Sequence, residues 1–99
     1  MIRHIVLFSA KDKADVLRIR EGLKALGTIP HSTHFEVTES LKADPTSDVI
    51  DVVVYGEFPD AEALAAFKAH PTYAATTAKV RPLRDLRFVA DVVTEKSPS

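Results

Sequence analysis

The chain has 99 residues, 45% of them hydrophobic and 27% charged, which is the composition of one globular domain covering residues 1–99. Its net charge is −1 and no local lysine/arginine cluster stands out, so neither nucleic acid nor a membrane is an expected partner. The absence of cysteine excludes disulfides, thiolate nucleophiles and cysteine-based metal centres. Residues 1–13 lack a signal-peptide layout, and we therefore expect a cytoplasmic protein.

Three elements are predicted in the first half of the chain. Ile2 to Phe8 is a nearly unbroken apolar run, typical of a strand buried on both faces. From Lys13 to Leu26 apolar residues recur every three or four positions, which predicts an amphipathic helix that ends at Gly27 and cannot continue through Pro30. Alternating apolar and polar residues from His34 to Ser40 predict an edge strand.

The second half repeats this succession. Val49 to Phe58 predicts a strand antiparallel to its predecessor, because the intervening loop is short. A helix is predicted over Ala61 to Ala69, with a break and restart at the His-Pro pair of residues 70–71. Arg84 to Val93 closes the domain as a strand, and residues 95–99 are expected to fray.

The predicted order β-α-β-β-α-β is the ferredoxin-like α+β plan, with helices on one sheet face. The other face would carry Ile5, Leu7, Val53 and Tyr55, an apolar surface larger than most monomers expose. A second copy packed face to face would cover it, so we expect a homodimer through these residues. Asp51 interrupts the same face, where it should be paired or linked to water.

Three segments together resemble one family: Arg3-His4-Ile5-Val6-Leu7-Phe8, then Phe67 to Pro71, and Phe88-Val-Ala-Asp91. They resemble the stress-responsive dimeric A/B-barrel (Dabb) family, which contains plant polyketide cyclases such as olivetolic acid cyclase and members without an assigned activity. The resemblance implies a dimeric α+β barrel with a cavity between sheet and helices in each subunit.

Three polar residues are the candidate catalytic groups. The resemblance places His4 toward the cavity, where it would either bond a backbone carbonyl or contact a ligand. His70 would either cap free carbonyls at its helix end or line the cavity mouth. Tyr73 is either a core or surface residue, or a hydrogen-bond donor to a carbonyl or enolate, with a histidine as proton acceptor.

The resemblance also implies a departure from the cyclase branch, which is expected to have a tyrosine at Phe67 and a histidine at Tyr73. Phenylalanine cannot donate a proton, and an unperturbed phenol with a pKa near ~10 is a poor base at neutral pH. We therefore expect negligible cyclase activity on linear polyketides.

An apolar pocket for a small aromatic or polyketide-like molecule is predicted, with Gly22 providing either close packing or extra space. No cofactor is expected, and His31 and His34 lack the partners of a metal site, so no metal is expected either. Two functions remain open. The first is binding of such a molecule, with cofactor-free proton transfer such as cyclisation or isomerisation if the protein is an enzyme. The second is that of a non-catalytic stress-associated oligomer, so enzyme status stays open. The predicted pocket walls are Val6, Phe8, Ile19, Leu23, Phe35, Val37, Val54 and Phe67.

Overall fold

A computed structural model describes residues 1–94 as one four-stranded antiparallel sheet with helices on one face. The predicted fraying of residues 95–99 lies outside the described residues. The strands, in the spatial order β2-β3-β1-β4, are β1 Ile2–Ala10, β2 His34–Glu39, β3 Val52–Phe58 and β4 Arg84–Val93.

The helices end where local chemistry dictates. The side chain of Asp60 accepts the Ala63 amide at 2.8 Å and starts the second α-helix. His70, which precedes Pro71, is extended, so the chain breaks there before the third α-helix begins. The α-helices are α1 Val16–Leu23, α2 Ala61–Ala69 and α3 Pro71–Val80, with short 3₁₀ turns at Lys13–Asp15, Lys24–Thr28 and Pro45–Ser47.

The predicted helix from Lys13 to Leu26 is therefore regular only in its middle. Its first turn is a 3₁₀ turn closed by the Asp12 carboxylate, which accepts the Ala14 amide at 2.9 Å, and a second 3₁₀ turn follows its last residue. The α+β element order is otherwise the predicted one, with β2 at one edge of the sheet and β4 at the other.

The core lies between the sheet and the helices. Alternation along β1 and β3 turns His4, Val6, Phe8, Val52 and Val54 toward the helices, where all five are buried. Each large apolar side chain buried in this way stabilises the fold by about 1.5–3 kcal/mol. An aromatic cluster occupies the half of this layer near β2 and β3; it consists of Phe35, Phe58, Phe67 and Tyr73.

The opposite sheet face has no helix on it. In the strand register Leu7 lies between Val53 and Phe88, and Ile5 lies between Tyr55 and Ala90. The four residues predicted to share the uncovered face, Ile5, Leu7, Val53 and Tyr55, do lie on it and are half-buried within the single chain. Its β4 portion is more open, since Phe88 is 54% exposed.

Asp51 immediately precedes β3, which begins at Val52 rather than at the predicted Val49. Its buried carboxylate accepts Lys13 Nζ at 2.7 Å, Lys42 Nζ at 2.7 Å and the Ala10 amide at 2.8 Å. Burial alone would raise the pKa of Asp51, but these hydrogen bonds outweigh it and lower the pKa to about 2. The expected pairing is thus made within the chain's own loops.

Candidate functional site

A cavity of about 220 Å³ lies between α3 and the half of the sheet formed by β1 and β4. The space arises because the helices leave the edge strand β4 poorly covered; Val89, on its helix side, is 42% exposed. The cavity is lined by six apolar residues and six polar ones. The apolar residues are Val6, Phe8, Leu23, Leu26, Val54 and Val80, and the polar ones are His4, Tyr73, Thr77, Arg81, Arg84 and Arg87.

His4 is the buried polar residue of the cavity floor, with 2% of its surface exposed. It lies directly opposite Asp91 in the β1–β4 ladder, and its Nδ1 is 2.5 Å from the Asp91 carboxylate. Phe58 and Phe67 pack against the imidazole in T-shaped arrangements, with ring centroids 6.1 and 6.2 Å away. The partner of His4 is therefore a carboxylate rather than a backbone carbonyl, and the ring also lines the cavity.

Burial lowers the pKa of His4, and the nearby charges of Lys68 and Arg87 lower it further, while the hydrogen bond and charge of Asp91 oppose this without reversing it. The imidazole is thus neutral at neutral pH and donates Nδ1–H to Asp91. No side-chain nitrogen or oxygen in residues 1–94 is both sealed from solvent and unpartnered. Because Nδ1 is occupied by Asp91, Nε2 is the ring nitrogen left to accept a proton.

Tyr73 lies near the start of α3 and contributes its phenol to the same cavity. Its oxygen accepts a hydrogen bond from Nη2 of Arg87 at 3.3 Å, and its ring packs on Phe67 with centroids 5.5 Å apart. The cavity therefore combines one imidazole acceptor with one phenol whose own proton is free to be donated.

His70 has a local structural contact instead. Its Nδ1 accepts the Thr72 amide at 3.1 Å, which caps the start of α3. The expectation that His70 would cap the free carbonyls at the end of α2 is wrong. Its ring instead accepts an amide at the start of α3, because the extended backbone before Pro71 begins a new helix there. It is not among the residues lining the cavity.

The family model described as Stress responsive A/B Barrel Domain (Dabb) matches residues 2–94. The chain belongs to the Dabb family. The comparison with curated proteins gives no match.

Solved structures share the fold of this Dabb domain. A Dabb family protein with a ferredoxin-like fold from Mesorhizobium loti is 27% identical, covers 96% of this chain and 97% of its own, and has a TM-score of 0.79. A dimeric ferredoxin-like protein of unknown function from Jannaschia sp. is 20% identical, with 94% and 98% coverage and a TM-score of 0.82. A putative antibiotic biosynthesis monooxygenase from Nitrosomonas europaea is 18% identical, with 97% and 100% coverage and a TM-score of 0.77. The predicted ferredoxin-like α+β fold is confirmed.

The predicted pocket walls divide into two groups in the Dabb domain. Val6, Phe8, Leu23 and Val54 line the cavity. The structure places the other four in the packed layer rather than on the cavity wall, because the aromatic cluster fills the space near β2 and β3. These four are Ile19, Phe35, Val37 and Phe67.

Two sets of cavity residues escaped the sequence analysis. The expectation of no local lysine/arginine cluster is corrected, since Arg81, Arg84 and Arg87 converge at the cavity mouth where α3 passes into β4. Their spacing of three residues was the available signal. Asp91 was noted only within a family segment; pairing the first and last strands antiparallel would have placed it beside His4.

The remaining candidates, His31 and His34, are not among the residues lining the cavity. Within residues 1–94, no three His, Cys, Asp or Glu side chains gather as metal ligands would. His34 lies 3.3 Å from the Glu36 carboxylate on the exposed surface of β2. Over the same residues no helix has the length and apolar character needed to cross a membrane.

Proposed function

We propose that this Dabb domain binds a small single-ring aromatic molecule in its cavity and that His4 transfers a proton on it without a cofactor. The observation that carries this proposal is the His4–Asp91 pair on the cavity floor. A neutral imidazole oriented by a carboxylate is a suitable general base, because the carboxylate stabilises the imidazolium that forms.

The proposed reaction uses His4 and Tyr73 in complementary roles. Nε2 of His4 removes a proton from carbon beside a carbonyl, and the C–H electron pair forms an enolate. The Tyr73 hydroxyl donates a hydrogen bond to the enolate oxygen, and its own oxygen is held by Arg87. Return of the proton from His4 to another carbon of the conjugated enolate completes an isomerisation. In a cyclisation the enolate carbon instead attacks a second carbonyl of the same molecule, and His4 returns its proton to the alkoxide that forms.

Cavity size favours a compact substrate over a long polyketide. A volume of about 220 Å³ is below the roughly 300–1,000 Å³ of pockets for drug-sized ligands. A cavity of about 150 Å³ already holds benzene, so one substituted ring fits. Phe67, which would be the cyclase tyrosine, has no proton to donate and packs within the aromatic cluster, which agrees with a base at His4 instead.

Proton exchange on a neutral probe tests this function. Phenylacetone in deuterium oxide exchanges its α-protons, and proton NMR follows the rate with native protein, with His4→Gln and with His34→Gln. We expect native acceleration, a loss of about 10²-fold or more in His4→Gln, and no change in His34→Gln, whose ring lies outside the cavity. Equal exchange by native protein and His4→Gln would refute the proposal.

We also propose that a second copy covers the open sheet face. The apolar residues of that face support this, as does the Jannaschia protein of the same fold, which is described as dimeric. The same surface favours the second candidate function, a stable oligomer without chemistry, which would show the dimer but no His4-dependent exchange.

A further inference from the structure

Three arginines line the cavity, and because Arg81 is exposed and Arg84 and Arg87 are only half-buried, we take them to mark its mouth. Five basic side chains elsewhere have acidic partners; Lys13 and Lys42 share Asp51, for example. Among residues 1–94, no carboxylate lies within ion-pair distance of any of the three mouth arginines. The cavity entrance is therefore a concentrated positive charge in a chain whose net charge is −1.

The three guanidinium groups also repel one another. Partial burial lowers the pKa of Arg84, and the charges of Arg87 and Arg81 lower it further. Asp91, which shares a face of β4 with Arg87, already bonds His4 and has Lys68 Nζ 3.9 Å away. An anion from outside the chain would relieve this repulsion at the point where ligands enter.

The strand geometry places the backbone of Arg87 and that of the His4 partner Asp91 at different ends of the cavity floor. Arg87 and Asp91 face the same side of β4, four residues apart, which is about 13 Å along a strand. On the neighbouring strand Phe8 lies directly opposite Arg87, and Val6 lies between the Arg87 end and the His4 end. A ligand spanning this floor would have its charged group at the mouth and its opposite end near His4.

We propose that the ligand of this cavity is a small aromatic carboxylate, whose carboxylate binds the arginines at the mouth and whose ring lies on Val6 and Phe8. This inference rests on the proposed function and names its substrate class. Arginine suits the role because its planar fork matches a carboxylate in two parallel hydrogen bonds. A nucleic acid is the poorer fit, because the three cations surround a recessed cavity rather than forming an extended surface.

Calorimetric titration with two probes of similar size tests the inference. Benzoate and benzyl alcohol share the ring, but only benzoate is charged. We expect native protein to bind benzoate about tenfold to a hundredfold more tightly, the usual gain from charge-assisted hydrogen bonds. The double variant Arg84→Gln/Arg87→Gln should lose that gain, so that its affinities for benzoate and benzyl alcohol become similar. The control Arg18→Gln/Lys24→Gln removes the same charge from the exposed surface of α1 and of the 3₁₀ turn that follows it, and should bind like native protein.

Measurements on native protein alone keep the test decisive if the arginine variant does not fold. Benzoate affinity should fall as sodium chloride rises, whereas benzyl alcohol affinity should not. Equal affinity for both probes would overturn the carboxylate inference and leave the cavity function standing. Binding of neither probe would overturn both proposals. Acetate or inorganic phosphate binding as tightly as benzoate would show a simple anion site and overturn the aromatic class.

Discussion

Asp91 lies opposite His4 across the β1–β4 ladder and accepts its Nδ1–H, with the two atoms 2.5 Å apart. Both side chains come from paired strands, so backbone hydrogen bonds on either side hold their separation. A pair built on strands is more rigid than one built on loops. Its orientation of the imidazole should therefore persist without a ligand.

Replacing Asp91 with asparagine should lower the pKa of His4 further. The Asp91 charge and hydrogen bond are the groups that raise this pKa, so burial would act with less opposition in Asp91→Asn. Lys68→Gln is the matched opposite change, because the Lys68 charge lowers the pKa of His4. Titration of the His4 ring by NMR measures both shifts; an unchanged pKa in Asp91→Asn would contradict the electrostatic account.

The stability of the domain should depend on the protonation of His4. Its folded pKa is below the ordinary value of 6.5, so the unfolded chain binds the extra proton more readily. The stability that the domain gains from keeping His4 neutral is fully present above pH 6.5. It is lost as the pH falls from there through the folded pKa. Urea unfolding measures the free energy of unfolding of native protein and of His4→Gln, and the difference between the two should narrow as the pH falls over this range. A difference that stays constant would contradict the proposed role of His4 protonation.

Asp51→Asn should destabilise the fold by about 2 kcal/mol at pH 7. The folded pKa of Asp51 is about 2 against an ordinary 3.8, and one pKa unit corresponds to about 1.4 kcal/mol. Because the pKa is lowered, this stability is present above about pH 4 and is lost as the pH falls through 2. Denaturant unfolding at several pH values measures it, with the exposed Asp85→Asn as control. A deficit that persists unchanged at pH 2 would show a different cause.

Two glycine-to-alanine changes should have opposite effects. A Cβ at Gly22 would lie 3.5 Å from Val80, an ordinary contact, so removing a flexible residue from α1 should stabilise by about 0.5–1 kcal/mol. At Gly56 a Cβ would lie 3.1 Å from Phe58 and 3.2 Å from Phe35 in a packed layer, which should cost about 1–3 kcal/mol. Urea midpoints of the two variants should fall on either side of the native value.

Leu7→Asp should convert the proposed dimer to a monomer or an aggregate. Leu7 lies in the middle of the open face between Val53 and Phe88, so a carboxylate there would be desolvated without a partner in the dimer. Leu17→Asp is the control, because Leu17 is 55% exposed on α1. Light scattering reports the assembly, and a well-folded Leu7→Asp dimer would place the interface elsewhere.

Periodicity and helix-breaking residues were sufficient to predict the elements. The helix Ala61–Ala69 and the strand Arg84–Val93 have the predicted bounds, because proline and capping signals are local. The cavity walls were less predictable, since the space left beside Phe67 depends on how several rings pack together. The partner of His4 depends on strand register, which acts over 87 residues of chain.

The break between α2 and α3 lets the aromatic cluster and the cavity change independently of each other. Phe67 of α2 lies at the centre of the aromatic cluster, while Thr77 of α3 and Arg81, which follows α3, line the cavity. Changes in the cavity lining therefore alter which molecule is accepted without loosening the rings beneath β2 and β3. Related domains can therefore bind different ligands while they keep the residues that determine the fold.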